Sequence, residues 1–268
     1  MDEIRIENVA EANVEDLCRV CLPQDEHDPD WMIGVEEKKQ WAAEMLPRWG
    51  SFAKVAYQGA DPVGMMQYRP IPEERIVYID CIYVPPAKGL RKGIATRLFS
   101  ALMSDVRKPM AWFDDERPLA LVVNTFEGGA HGQYTAREFF TGKGFRQVGE
   151  DPDHLYYPLQ PGFVYRPIDK RDAECIRRSE DMGRVLIIRG PNGCPATYPF
   201  FLKKMEKYIR EIDPEVPIRW IDSSQEPGEL SKRNARVGDC IVNARLVKCF
   251  VLDKESFQKE VQALLKVG

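Results

Sequence analysis

Six residues, Lys88 to Gly93, carry three cations and two glycines in the order KGLRKG, and the chemistry they suit is the grip of an anion. Glycines let backbone amides approach a charged oxygen closely, and the first-turn N–H groups of a helix point at it with the positive end of the dipole. Lys88, Arg91 and Lys92 could add charge-assisted contacts, although a solvated basic loop has the same composition. The loop is neither a Walker A sequence nor a dinucleotide fingerprint, so its spacing also fits an ordinary strand–turn–helix. Two thiol patterns stand apart from it. Cys18 and Cys21 form a C-x-x-C on a predicted helix with no second pair, which argues against zinc. Cys194 precedes Pro195 at the start of another predicted helix, where the dipole favours a thiolate.

The elements that must position these residues are read from periodicity. Ile76 to Val84 is rich in Ile, Val and Tyr and reads as a buried strand, ended by Pro85 and Pro86, which donate no backbone N–H. After the basic loop, Ile94, Leu98, Leu102 and Met103 recur at helical spacing. Upstream, Ile4 to Glu7 is a short strand, Asn13 caps a helix from Val14, and Val35 to Leu46 is a second helix. Phe52 to Gln58 and Pro62 to Arg69 pair across Gly59-Ala60-Asp61. Downstream come a strand from Leu119 to Thr125, a helix from Thr135 to Thr141 ending at Gly142 and Gly144, and a closing hairpin, Phe145 to Val148 with His154 to Leu159.

The bulk properties set limits. The chain has 268 residues, room for two domains, with ordinary hydrophobic (44%) and charged (30%) content for a globular protein. A net charge of −4 gives no general pull toward nucleic acid or anionic membrane, so a basic site must be local. No apolar run approaches a bilayer span, and the start, MDEIRIENVAEANVEDL, is acidic rather than signal-like. Seven cysteines without regular spacing fit reduced thiols in a cytoplasmic protein, with no metal.

The stretch from Tyr78 to Met103 resembles the signature of the GNAT superfamily of N-acetyltransferases. That signature is an apolar strand ending Val-x-Pro, a loop ending Gly-x-Gly/Ala, and an amphipathic helix, here Ile82-Tyr83-Val84-Pro85 and Gly93-Ile94-Ala95. Leu90 stands where the family usually has Gln or Arg, and Arg91 is one residue out of register. Ala136 to Phe145 resembles the family's penultimate helix, which closes on Tyr-x-x-x-Gly-Phe. The element order over residues 1–160 is similar too, so the resemblance implies an α/β (α+β) acyl-CoA N-acyltransferase fold with a mixed sheet.

That resemblance implies chemistry. Two neighbouring parallel strands splay apart and the gap takes the pantetheine arm of acetyl-CoA, the co-substrate. Ile82, Tyr83 and Val84 would offer main-chain partners to the arm, Asn124 a hydrogen bond to an amide of the cofactor. The amides of Lys88, Gly89, Leu90, Arg91, Lys92, Gly93, Ile94, Ala95 and Thr96 would surround the pyrophosphate. Asp80, expected on the face of Ile82, is the first candidate for the base that frees the attacking amine, with a structural hydrogen bond as its plainer role. Cys81 is expected to fill the core. The family's acid, a tyrosine, falls at Phe140, which protonates nothing. Tyr134 or His131 would substitute, or the thiolate leaves unaided, since a thiol's pKa lies not far above neutral. The acceptor, a small-molecule or peptide amine, is not readable, nor is the oligomeric state. Asp114, Asp115 and Glu116 could attract a cation or simply be solvated.

Pro158, Pro161 and Pro167 punctuate the passage into a second domain, residues 161–268. Val185 to Arg189, Ile218 to Asp222, Cys240 to Val242 and Leu246 to Leu252 read as strands. Pro195 to Ile212, Pro227 to Arg236 and Lys254 to Lys266 read as helices. This βαβαββα order resembles the thioredoxin-like fold, and the pairing of the two domains resembles the YoaP-like acetyltransferases. Cys194 then stands at the first cysteine of that family's C-x-x-C, but Cys194-Pro195-Ala196-Thr197 lacks the second thiol. The resemblance implies that Cys240 lies near Cys194. The family's proline is missing from Arg236-Val237-Gly238-Asp239, which counts against an oxidoreductase. Three readings result: an N-acetyltransferase, a CoA-binding or sensing protein without catalysis, and a thiol oxidoreductase using Cys194.

Overall fold

Residues 3–22, 28–86, 92–125, 135–167 and 175–266 are described by the computed structural model. Their contacts divide into two units, Met1–Cys21 with Ala43–Ile168 and Leu22–Ala42 with Asp169–Gly268. Leu22–Ala42, on the first side of the expected boundary at residue 160, groups with the second unit.

The first unit is built on a seven-stranded sheet in the order β1-β2-β3-β4-β5-β7-β6. Its strands are β1 (Ile4–Asn8), β2 (Ala53–Gln58), β3 (Asp61–Ile71), β4 (Ile76–Tyr83), β5 (Ala120–Asn124), β6 (Arg146–Val148) and β7 (Asp151–Pro158). All neighbours are antiparallel except β4 and β5, so the sheet is mixed. A short helix, α1 (Val14–Arg19), follows β1, and α2 (Pro29–Trp49) runs across the division between the units. The expected cap at Asn13 is in place, but its side chain accepts from Ala10 N–H (2.8 Å) and donates to the Asn8 carbonyl instead of bonding the helix. The second helix starts earlier than Val35: Asp28 accepts from Asp30 N–H (2.9 Å) and Pro29 supplies a preset φ.

Helix α3 (Ile94–Val106) buries Ile94, Leu98, Phe99, Leu102, Met103 and Val106, a spacing that turns one stripe to the sheet. That stripe packs with Val77 and Ile79 of β4 and Leu121 and Val123 of β5 in one core cluster. Ile76, Ala120, Val122 and Tyr156 form a second cluster on the other face. Helix α4 (Ala136–Gly142) opens on a capping box: Glu138 N–H donates to Thr135 Oγ1, and Thr135 N–H donates to the Glu138 carboxylate.

The second unit holds β8 (Val185–Arg189), α5 (Lys203–Ile212), β9 (Ile218–Asp222), α6 (Pro227–Arg233), β10 (Cys240–Val242), β11 (Arg245–Leu246) and α7 (Lys254–Leu265). Its sheet order is β11-β10-β8-β9, with β8 and β9 parallel. The helix expected from Pro195 begins as a π-helical segment, Thr197–Leu202, before α5; Pro199 inside it has no N–H for a regular ladder. The strand expected over Leu246 to Leu252 is only Arg245–Leu246, because the N–H groups of Lys248 and Cys249 donate to the Glu260 carboxylate on α7 instead of to a strand. Helix α6 stops at Arg233, where Asn234 turns left-handed (φ 51°).

Among the described residues no helix is long and apolar enough to cross a membrane, and no group of His, Cys, Asp and Glu could hold a metal ion.

Candidate active site

The parallel ladder between β4 and β5 ends early. Ile76↔Ala120, Val77↔Leu121, Tyr78↔Val122 and Ile79↔Val123 pair, and there the register stops. Strand β4 continues to Tyr83 with β3 alone, through Gln67↔Cys81, Met66↔Ile82 and Met65↔Tyr83. On the other side β5 has one more residue, Asn124, which is exposed and pairs with His154 of β7. From Asp80 to Tyr83, then, β4 runs on without β5 in the ladder among the described residues. A peptide-like chain laid along that edge would meet the same donors and acceptors that a strand offers.

A β-bulge starts the parting. Tyr68 faces Ile79 and Gln67 faces Cys81, so Asp80 is an extra residue with no opposite number on β3. One inserted residue resets the alternation of faces. Val77, Ile79 and, past the bulge, Ile82 and Val84 all pack with the α3 cluster. Asp80 instead accepts a hydrogen bond from Arg69 Nε (2.9 Å), and the Arg69 guanidinium lies over the Tyr78 ring (4.8 Å). The expectation that Asp80 shares the face of Ile82 is therefore corrected, since strict alternation fails across a bulge. Arg69 was not visible as a partner from sequence, because nothing local tells which β4 residue it opposes.

The Asp80 side chain is about one-fifth exposed (21%), set among protein atoms but still touched by solvent. Burial pushes its carboxyl up to about 6, and the Arg69 guanidinium pulls against that rise. Burial also raises the Tyr83 phenol, with Cys21 and Cys81 adding to the effect. A carboxyl held near 6 is mostly ionised at neutral pH and can take a proton from a bound ammonium.

The start of α3 closes in on this edge. Gly93 caps the helix in the left-handed region (φ 75°) and brings no side chain to its first N–H groups. A Cβ on Gly64 of β3 would meet Ile94 Cγ2 at 2.9 Å, Val84 Cγ2 at 3.2 Å and the Tyr83 carbonyl at 3.3 Å. Only glycine lets β3 lie this close to the join of β4 and α3. Lys92 and Thr96 are exposed beside that turn, and Lys143, just past α4, donates from Nζ to Thr96 Oγ1 (3.1 Å). Nothing local in the sequence marks Lys143 for this place; only the fold brings it to the first turn of α3.

The other expected site residues divide. Lys88, Gly89, Leu90, Arg91, His131 and Tyr134 lie outside the described residues. Phe140 is fully buried, edge-on to Phe139 (5.2 Å) and Phe145 (5.0 Å), so the position of the family acid is a core aromatic. Cys81 is half-buried. Asp114 and Asp115 form a left-handed turn, and Glu116 is ion-paired with Arg75. In the second unit Cys194 is exposed, its N–H donating to Asn192 Oδ1 (2.9 Å), while Cys240 is buried in β10 and burial drives its thiol far up.

Residues 15–119 match the model of the acetyltransferase (GNAT) family. A search of curated proteins gave no match. Among solved structures the chain is similar to a protein from Pyrococcus horikoshii assigned as an acetyltransferase, with 17% identity over 53% of this chain and only 43% of that one, and a TM-score of 0.39. It is similar also to the PaiA N-acetyltransferase of Thermoplasma acidophilum, solved with coenzyme A (13% identity, 59% of this chain, 99% of that one, TM-score 0.43). A third is a GNAT family acetyltransferase of Brucella melitensis, solved with acetyl-CoA (13% identity, 61% of this chain, 93% of that one, TM-score 0.41).

Proposed function

We propose, from the GNAT acetyltransferase domain that residues 15–119 match, that the chain moves an acetyl group from acetyl-CoA to a primary amine. The observation that carries this reading is the opening between β4 and β5 after Ile79↔Val123, with the bare first turn of α3 next to it. The edge of β4 beyond Ile79, where the ladder with β5 has stopped, suits the amides of a pantetheine arm, and Asn124 ends β5 beside it. The N–H groups of Ile94, Ala95 and Thr96 suit a pyrophosphate.

In the reaction a neutral amine nitrogen attacks the thioester carbonyl carbon, the carbon–sulfur bond breaks, and the thiolate leaves. Asp80 takes the proton that the acceptor ammonium must lose first, directly or through one water. Arg69 holds the carboxylate in place and keeps its pKa from rising further. Phe140 supplies no proton to the thiolate, so the leaving group departs as the anion and takes up, directly or through water, the proton that the attacking nitrogen sheds as the amide forms.

The buried Phe140 also favours a second reading, a CoA-binding protein without catalysis. Saturating acetyl-CoA should raise the melting temperature under both readings, and no rise sinks both. Release of free thiol with a panel of primary amines then decides: turnover above the amine-free rate supports the enzyme, and binding without turnover supports the sensor.

For the second unit we infer a thioredoxin-like module. The βαβαββα order with sheet order β11-β10-β8-β9 supports this reading. An exposed Cys194 and a buried, strongly protonated Cys240 favour a lone thiol over a dithiol exchange site.

A further inference from the structure

At the carboxyl ends of the parallel pair β8 and β9, where open sheets commonly bind ligands, the second unit contains a pocket of about 400 Å³. Arg189 ends β8 and Asp222 ends β9, and both line it. The N-terminal part of α2 forms the facing wall with Met32, Ile33, Glu36 and Glu37. This wall is held close by Gly34, where a Cβ would fall 1.9 Å from the Pro195 carbonyl oxygen.

Glu37 is the anomaly in this pocket. It is 5% exposed, and neither carboxylate oxygen has a hydrogen-bond partner among the described residues. Arg189 Nε lies 3.2 Å from Oε1 as an ion pair but is not aligned as a donor, and Arg189 Nη2 is also 3.3 Å from Asp222 Oδ2. The same guanidinium lies over the Tyr198 ring at 4.8 Å. Glu36 is neutralised by Lys39 at 3.1 Å. Two carboxylates therefore share one guanidinium, which leaves the pocket one negative charge in excess and two buried acceptors unfilled. Buried polar groups left unfilled are costly, and a donor from a ligand removes that cost.

We propose that this pocket binds a small aliphatic primary ammonium ion, with Glu37 and Asp222 taking the charged head and Met32 and Ile33 the carbon chain. A cation is favoured over an anion because the only guanidinium here is already shared. An organic cation is favoured over a metal ion because no group of at least three potential ligand side chains converges among the described residues. The apolar wall and the volume suit a chain of several carbons. This site is separate from the acyl-transfer reading and stands or falls without it.

The test uses the full chain with methionine methyls labelled with carbon-13, Met32 being assigned through Met32→Leu. At pH 8, n-butylammonium should shift the Met32 methyl saturably, while 1-butanol and butyrate leave it in place. Glu37→Gln should weaken binding at least tenfold. Burial holds the Glu37 carboxyl at about 7, with Arg189 lowering and Asp222 raising it. The ammonium needs the ionised form, so affinity should fall about tenfold between pH 8 and pH 6. Several outcomes would overturn the site. They are a Met32 shift with butyrate or butanol equal to that with the amine, shifts confined to Met65 and Met66 of β3, and no saturation at tens of millimolar, which would mean water fills the pocket. Should Glu37→Gln fail to fold, the three probes on the unaltered chain decide alone.

Discussion

A carboxyl that burial pushes up to about 6, as at Asp80, leaves a signature in kinetics that an aspartate with its ordinary pKa does not. Asp80 takes the same proton that the acceptor ammonium gives up, so for an alkylamine one net deprotonation governs kcat/KM. Below about pH 6 its logarithm should climb by about one per pH unit, and from there to the pKa of the amine it should be level. Asp80→Asn should lose the level stretch and climb by about one per unit up to the pKa of the amine. A variant that keeps the break at about pH 6 would take the base role away from Asp80. Arg69→Gln removes the charge that holds this pKa down, so the break should move to higher pH. Glu37 makes a parallel claim in stability. Its pKa rises from 4.5 unfolded to about 7 folded, so between those values the folded chain holds more protons and stability falls as pH increases. Above 7 both states are ionised and the curve is flat. Glu37→Gln should therefore raise the stability of the ligand-free chain at pH 8, by roughly 2 kcal/mol, and do much less at pH 4.5. Urea titrations at the two pH values check this. Asp80 was legible in the sequence as a carboxylate on an apolar strand. Its partner and its face were not, because both follow from a bulge that depends on the register of β3.

Strands and helices were legible where local pattern and long-range pairing ask for the same thing. Val185–Arg189, Ile218–Asp222 and Cys240–Val242 are found with the expected bounds, since each carries β-branched or aromatic residues and is flanked by Gly, Pro, Asn, Asp or Ser. The strand expected from Leu246 failed because its donors turn to Glu260 twelve residues on, and no periodicity announces a side chain that competes with a ladder. The parting of β4 from β5 follows the same rule. The Val-x-Pro ending marks where β4 must stop, but the ladder gives out earlier, at Ile79, for reasons that lie in the neighbouring strands. Two glycines test the geometry separately. Gly64→Ala forces a methyl against Ile94, Val84 and the Tyr83 carbonyl, so it should cost about 1–3 kcal/mol and spread the join of β4 and α3. Gly93→Ala meets open space and bears only the left-handed backbone (φ 75°), about 1–2 kcal/mol. Acetyl-CoA affinity should drop more in Gly64→Ala than in Gly93→Ala, measured by calorimetry on both folded variants. Equal affinity in Gly64→Ala and the parent chain would show that this edge is not where the cofactor lies.

At the scale of the whole chain, the described residues include a core cluster in each unit. Val77, Leu98 and Val123 belong to one cluster, and Ile187, Ile209 and Phe257 to another. Chain length leaves room for two domains; nothing local shows that Leu22–Ala42 groups with the second unit, because a helix carries no mark of the core that will take its apolar stripe. The second unit also contains a fully buried ion pair. Arg233 donates to both Asp181 oxygens, at 2.7 and 2.8 Å, and further to the Glu229 carboxylate at 2.7 Å. Such a pair adds little over a well-packed apolar substitute, but losing one partner leaves a charge stranded and costs about 3–5 kcal/mol. Asp181→Ala removes the two-pronged partner of Arg233, which is 1% exposed, and leaves Glu229 as its near carboxylate, so the cost should lie toward the lower end of that range. Hydrogen exchange should then quicken in β8, β9 and β10, while amides of β2 to β5 keep their protection, because Arg233, Asp181 and Glu229 all belong to the second unit. Acetyl-CoA added to the same variant should slow exchange along β4 and the first turn of α3 as it does in the parent chain. If Asp181→Ala instead loosens both sheets equally, the two cores unfold as one, and binding at the first site must be felt at the second.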